Sequence, residues 1–274
     1  MILAGTNITT AGELLKKIPV EHLYHSLRNP KQEVMSQIRQ LRCIRNLDSN
    51  QYSLQKKRLP YFVCGIFNPA CRRTENFAYI EYFVLDIDHI SQKGLVIDDV
   101  KKKVIQDSRV RMCFVSPGED GLKVLFKLNE RCFDAKIYSL FYKAFSTHFS
   151  KLYNLEQVLD KCTSDVSRAC FISVDPDVYY QKDSELINIK AFLPVDSPVE
   201  MFRVKNETEA VSIRPTETGH SNSEKGSVDP DQFAMGKIKE ILNPKLKTKK
   251  SDITVFVPHQ LDDKISELMK YVQN

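Results

Sequence analysis

One apolar run that ends in two carboxylates constrains the fold of this chain more than any other stretch. Residues 82–85 are aromatic, branched or aliphatic, Asp86-Ile87-Asp88 follows them, and a turn-prone segment stands at 91–94. This pattern predicts a central strand that is covered on both faces. Because side chains alternate along a strand, Asp86 and Asp88 should point the same way at its carboxyl end.

The paired carboxylates of Asp86 and Asp88 are expected to repel each other, so they favour a cation between them. Mg²⁺ or Mn²⁺, which prefer oxygen ligands, would satisfy the pair. The alternative is that Asp-x-Asp caps the following turn or pairs with surface lysines. This stretch alone does not decide between the two interpretations.

The composition is that of a globular protein with a small basic excess. Its 274 residues, 42% of them apolar, are enough for one large domain or two small ones, and the net charge of +5 suits a polyanionic partner without requiring one. The 7 irregularly spaced cysteines predict free, core-packed thiols, with a zinc site as the less favoured alternative. Without a leader-like amino terminus or an apolar run of about 18 residues, we expect a cytoplasmic protein with no membrane segment.

Apolar periodicity and turn residues predict alternating helices and strands along the first two thirds of the chain. The predicted helices cover residues 11–18 after a Thr10 cap, 33–42, 50–58, 98–106 and 135–153. The predicted strands cover residues 59–67 with an interruption at Gly65, the 82–88 stretch, 111–116, 122–128 and 169–174. Together they predict an α+β class with a mixed sheet and flanking helices.

Composition also predicts the domain boundaries. Residues 1–58 are predicted as a helical segment that packs on a catalytic module at 59–195. Residues 196–231, rich in Ser, Thr, Glu, Gly and Pro, are predicted to be a flexible, disordered linker. Residues 232–274 carry a basic run and a helix too small to fold by itself.

Three elements carry candidate chemistry: the Asp-x-Asp strand end, the hairpin at 116–123, and Leu159-Asp160 with Arg168 behind it. A two-metal nucleotidyl-transfer site needs such parts, because carboxylates hold the metals while cations neutralise the leaving pyrophosphate. Glycines let backbone N–H groups approach phosphate, and Lys123 adds a mobile positive charge. Taken singly, Lys123 also fits a surface lysine, and Gly118 and Gly121 also fit ordinary turn residues.

Together these stretches resemble the archaeo-eukaryotic primase (primase-polymerase) superfamily, whose module carries hydrophobic-Asp-x-Asp/Glu, then small-x-His, then hydrophobic-Asp. The matching segments are Val84-Leu85-Asp86-Ile87-Asp88, Gly121-Leu122-Lys123 and Leu159-Asp160. Lysine stands at 123 where many members have histidine, and it cannot titrate near neutral pH as histidine does. Residues 164–168 and 171–176 resemble the branch found at the amino end of virulence-associated protein E and related mobile-element replication proteins.

The resemblance spans about residues 59–180 and implies a metal-dependent DNA primase or polymerase of a mobile-element or phage replication system. Such a nucleotidyltransferase would initiate or extend strands on single-stranded DNA from NTPs or dNTPs, with a separate replicative helicase as a partner. The implied catalytic and metal-binding residues, for Mg²⁺ or Mn²⁺, are Asp86, Asp88 and Asp160. The implied nucleotide-binding residues are Ser116, Gly118, Gly121, Lys123 and Arg168.

Basic residues outside these motifs are candidates for binding the template backbone, with a solvated charged face as the alternative. They are Lys56, Lys57, Arg58, Arg72 and Arg73.

Two other functions fit parts of the pattern. A metal-dependent nuclease also combines carboxylates with a lysine, but it usually needs an acid two residues before the lysine, where this chain has Gly121. Glu119 and Asp120 have the wrong spacing to share the strand face of Lys123. A non-catalytic nucleic-acid-binding remnant of the same fold is the third possibility, against which the intact carboxylates argue.

Overall fold

The computed structural model describes residues 1–160 and 164–193. These residues belong to the first of two units into which the chain divides, Met1–Pro215. The predicted linker at 196–231 and the predicted carboxy-terminal segment at 232–274 lie outside the described residues, as does Cys162. The predicted domain boundaries therefore stay predictions.

The described residues form an α+β fold, which confirms the predicted class. The strands are β1 (Ile2–Gly5), β2 (Lys16–Ile18), β3 (Tyr61–Val63), β4 (Gly65–Phe67), β5 (Phe77–Ile87), β6 (Met112–Val115), β7 (Leu122–Cys132), β8 (Ala169–Phe171) and β9 (Tyr179–Tyr180). The α-helices are α1 (Val20–Arg28), α2 (Gln32–Ile44), α3 (Ser49–Lys56), α4 (Ile97–Val104) and α5 (Ala135–Tyr153).

Two antiparallel sheets organise these strands. The smaller sheet has the order β2-β1-β3-β8 and the larger has the order β4-β5-β7-β6-β9. Within the described residues, parallel pairing is limited to an isolated bridge between Leu128 and Ile187, so the predicted mixed sheet is present as two antiparallel ones. The predicted strand at 59–67 is split at Cys64, where the chain passes from one sheet to the other.

Strand β5 lies inside the larger sheet, and α5 packs on it through aromatic rings. The Phe83 ring stacks on Phe126 of β7 with centroids 5.3 Å apart. It also meets Phe141 and Phe145 of α5 edge to face at 5.3 and 5.2 Å. Edge-to-face and stacked rings add to the stabilisation that burial provides. Residues 82–87 are all buried, as predicted for a strand covered on both faces, and this packing holds the strand end in place.

The predicted helix at 11–18 is wrong. Gly12 has a φ of +75°, which interrupts a right-handed helix, and residues 16–18 instead pair with β1 as β2. Pro19 then stands at the N-cap of α1, a helix that the periodicity analysis missed, instead of ending one. The pairing with β1 satisfies the backbone groups of residues 16–18, so a long-range partner decides their conformation.

Candidate active site

Asp86 and Lys123 face each other across the pairing of β5 with β7. Directly opposed residues on antiparallel strands share a face, so their side chains meet. The Lys123 ammonium forms an ion pair with Asp86 Oδ2, and the two side chains are only 10% and 9% exposed. Burial acts to lower the pKa of Lys123, but the charges of Asp86 and Asp88, the nearby Cys170 and the hydrogen bond to Asp86 together outweigh it and raise that pKa above its ordinary value. Lys123 is therefore a buried, paired cation and not a surface lysine.

Asp88, which directly follows β5, completes a carboxylate pair with Asp86. Burial raises the pKa of Asp88; the Lys123 charge opposes this shift and the Asp86 charge adds to it. Asp86 Oδ1 is buried, and no hydrogen-bond partner for it exists among the described residues. A buried acceptor without a donor is costly, so the pair has one oxygen that a proton or a metal cation would satisfy.

Asp160 reaches the same strand end through the backbone. Strand β4 pairs only with the beginning of β5, which leaves the edge at 86–88 free for residues 158–160. The Asp88 amide donates to the Val158 carbonyl at 2.8 Å, and the Asp160 amide donates to the Asp86 carbonyl at 2.8 Å. The Asp160 carboxylate lies 3.6 Å from the Arg168 guanidinium. In the described part of the chain, no three His, Cys, Asp or Glu side chains are close enough to hold a metal ion together.

A cleft of about 690 Å³ opens over the carboxylate pair. Its lining includes seven of the predicted site residues: Asp86, Asp88, Lys123, Arg168, Lys56, Lys57 and Arg72. The structure thus brings most of the predicted basic residues to the same cleft as the acidic pair. The predicted residues that do not line it are Asp160, Ser116, Gly118, Gly121, Arg58 and Arg73. Arg73 lines a second cavity of about 260 Å³, which shares Ile8, Thr9 and Arg72 with the first.

The two glycines of the hairpin lie close to neighbouring residues. A Cβ at Gly121 would lie 2.4 Å from the Ile87 carbonyl oxygen and 2.6 Å from Asp88 Oδ1. A Cβ at Gly118 would lie 2.5 Å from the Tyr52 hydroxyl. Gly121 therefore needs glycine, because the atom that a Cβ would meet belongs to the backbone, whereas at Gly118 the Tyr52 side chain would have to shift. Their predicted contact with nucleotide stays a prediction, as does that of the buried Ser116.

Sequence analysis did not identify the residues that hold the hairpin. Arg45, just after α2, donates to the Gly118 carbonyl and to Asp120 Oδ2, both at 2.6 Å. Arg42 of α2 lies 2.8 Å from Glu119 and donates to the Val174 carbonyl at 3.0 Å. The one available signal was the spacing of Arg42 and Arg45 along a helix face, and it does not reveal a distant partner.

The described residues form an α+β domain of two antiparallel sheets, with a carboxylate pair set in a largely basic cleft. Residues 54–180 match the family profile described as BT4734-like, N-terminal domain. That span includes Asp86, Asp88, Lys123 and Asp160.

Among solved structures, the AEP domain of the primase-polymerase of cyanophage S-2L is similar to this chain at 12% sequence identity. The similarity covers 53% of this chain and 74% of that one, with a TM-score of 0.32, a level that supports no conclusion about fold or function. No curated protein matches the chain. Among the residues that the structure describes, no helix is both long and apolar enough to cross a membrane.

Proposed function

We propose that this protein is a metal-dependent nucleotidyltransferase of the DNA primase or polymerase type, which initiates or extends strands on single-stranded DNA. One observation carries the proposal: Asp86 and Asp88 lie in a cleft lined by five basic side chains, and Asp86 Oδ1 lacks a partner in the described chain. Carboxylates for a metal and cations for phosphates are the two requirements of nucleotidyl transfer.

The oxygens present fit Mg²⁺ or Mn²⁺. Asp86 Oδ1 and the Asp88 carboxylate are hard ligands, and Mg²⁺ is commonly held by one or two carboxylates together with substrate phosphates and water. The carboxylates of Asp86, Asp88 and Asp160 are not grouped closely enough in the described structure to share a metal ion. We propose Asp160, whose amide is bonded to the Asp86 carbonyl, as a third ligand that would join the pair when its carboxylate turns away from Arg168. A bound metal would polarise phosphate oxygens and lower the pKa of the attacking hydroxyl.

The chain's own cations would act on the phosphates. Lys123 is held by Asp86 and lines the cleft, so its ammonium would offset charge on the triphosphate. Arg168 enters the same cleft next to β8. We assign the incoming nucleotide to these two residues and to Ser116, Gly118 and Gly121 of the hairpin. We assign the template strand to Lys57, Arg58, Arg72 and Arg73.

The biological setting is also part of this proposal. The motifs of residues 84–88, 121–123 and 159–160 resemble those of primase-polymerases, and the segments that follow resemble the virulence-associated protein E branch. We therefore propose a role in the replication of a mobile element or phage, in the cytoplasm and with a separate replicative helicase.

An incorporation assay tests the proposal. The full chain is incubated with a single-stranded DNA template, labelled NTPs or dNTPs, and Mg²⁺ or Mn²⁺, and the products are separated by length. We expect metal-dependent products that Asp88→Asn abolishes. Asp99→Asn, which changes a 72% exposed aspartate of α4, is the matched control and should retain activity. Shortening of labelled DNA without incorporation would identify a nuclease instead, and neither reaction would be seen with a non-catalytic binding protein.

A further inference from the structure

Lys56, at the end of α3, is one of the basic residues that were predicted to bind the template, and it contacts two aromatic rings. Its ammonium lies 5.7 Å from the centroid of the Tyr52 ring and 6.0 Å from that of the Phe171 ring. Cations at such distances from aromatic rings are attracted by the rings' negative faces. Because one ring comes from α3 and the other from β8, the side chain is held between two elements and is directed into the cleft.

The Lys56 ammonium has no acidic partner within the described residues. Lys123 is paired with Asp86, and Arg168 lies 3.6 Å from Asp160. Burial lowers the pKa of Lys56, and the charges of Lys123 and Arg168 add to that shift, whereas Asp88 and Asp86 oppose it. Lys56 lines the same cleft as the cationic and acidic groups of the site, so one ligand bound in that cleft would contact them together.

Lys56, Lys123 and Arg168 line one cleft and carry like charges. Lys123 and Arg168 each lie beside an aspartate, so Lys56 adds a cation that pairs with no described carboxylate, and a multiply charged anion in the cleft would balance its charge. The triphosphate of a nucleotide has several such charges along a short chain, whereas a template strand carries one on each phosphate. The convergence therefore favours a polyphosphate over a strand backbone at this point of the cleft.

We infer that Lys56 binds the polyphosphate of the nucleotide substrate beside the carboxylate pair, and that the Tyr52 and Phe171 rings support it there. This assignment replaces the predicted role of Lys56 in template binding. It rests on the proposed function for the identity of the nucleotide, but the measurement that tests it needs no turnover.

The test is calorimetric titration of the full chain with inorganic triphosphate in Mg²⁺, alongside titration with single-stranded DNA. We expect Lys56→Ala to weaken triphosphate binding about 10-fold or more, because a charge-assisted contact is lost, and to change DNA binding less than twofold. Lys56→Arg should recover part of the loss because the charge is retained. Lys102→Ala, at a 77% exposed lysine of α4, is the matched control and should bind triphosphate like the wild type.

Three results would overturn the inference: unchanged triphosphate affinity in Lys56→Ala, a loss confined to DNA binding, or no triphosphate binding by the wild-type chain. The proposed function is judged separately by incorporation. A chain that binds triphosphate through Lys56 yet incorporates no nucleotide would retain the inferred subsite and lose the polymerase assignment.

Discussion

The Arg45 guanidinium and the Asp120 carboxylate form an ion pair of 2.6 Å that joins the end of α2 to the turn between β6 and β7. Asp120 also accepts hydrogen bonds from the Ser91 amide at 2.9 Å and the Ser91 hydroxyl at 2.5 Å. Its carbonyl accepts one from the Ile90 amide at 3.1 Å. Asp120 thus connects α2, the hairpin that precedes Lys123, and the loop that follows Asp88.

This connection predicts that Arg45 and Asp120 position the site without contacting its ligands. Arg45→Met and Asp120→Asn should each lower the free energy of unfolding by about 1–3 kcal/mol, since a partly buried ion pair with further hydrogen bonds is broken. The double variant should lose less than the sum of the two single losses. Urea unfolding of the four proteins gives the coupling energy, and additive losses would show that the pair does not act as a unit.

Asp86 and Asp88 should differ when each is replaced by asparagine. Asp86→Asn leaves the buried Lys123 ammonium without its partner, and breaking a buried pair in this way typically costs about 3–5 kcal/mol. Asp88→Asn removes a half-buried charge beside another carboxylate, so stability should hold or rise. From the sequence alone, repulsion between the two carboxylates would predict unchanged or higher stability for both variants. Thermal unfolding in EDTA distinguishes the two, with Asp99→Asn as the control.

The raised pKa of Asp88 predicts that the free energy of unfolding depends on pH. A carboxyl whose pKa is raised on folding binds its proton more tightly in the folded state, so the free energy of unfolding falls as pH rises from the unfolded pKa through the folded one. Asp88 should therefore destabilise the metal-free protein above about pH 4, the ordinary range of an aspartate. The difference in stability between Asp88→Asn and wild type should widen with increasing pH. A constant difference between pH 4 and pH 7 would contradict the assignment.

Lys123→Ala tests the cation opposite Asp86. If Lys123 offsets charge on the triphosphate, its loss should reduce incorporation by roughly 30- to 1,000-fold, which corresponds to about 2–4 kcal/mol. Lys123→Arg should recover part of this because the charge is kept while the geometry changes. Because Lys123→Ala also leaves Asp86 unpaired, activity is measured well below the melting temperature of the variant. Unchanged nucleotide affinity together with unchanged turnover would exclude Lys123 from the site.

Truncation tests where the folded module ends. Residues 1–194 should fold and retain metal binding, since the sequence predicts a linker beyond this point. The Phe192 ring packs on Phe141 and Phe145 with centroids 5.8 and 5.1 Å away, and Leu193 is fully buried. A shorter chain that ends at Asn188 should therefore be less stable by about 3 kcal/mol or more. Equal melting temperatures for the two chains would show that Phe192 and Leu193 contribute little.

The local pattern of apolar side chains was sufficient to predict the helices and strands in which that pattern repeats with a clear period. The span predicted for α5 is the observed Ala135–Tyr153, and α2 and α3 lie where the sequence predicts helices. The apolar run at 82–85 correctly predicted a buried strand that ends in two carboxylates. Such elements are predictable because the periods of a helix and of a strand follow from the local geometry of the backbone.

Pattern failed where a distant partner decides the conformation. Residues 16–18 lie in a segment whose sequence predicts a helix, but they pair with β1. Residues 158–160 pair with the end of β5. The contacts of Arg45 with Asp120 likewise join segments far apart in the chain. No local period encodes such pairs, because they depend on how the two sheets and the helices pack together.

The sequence by itself determined that a carboxylate pair closes a buried strand and that basic residues accompany it. Only the tertiary structure decided that Lys123 is buried against Asp86 and not paired with Asp88. It also decided that Lys56 enters the cleft between two aromatic rings. The physical reason is that charge and burial act through space. Residues of the same type acquire different roles because folding determines how far apart their charges lie and how much of each side chain stays in water.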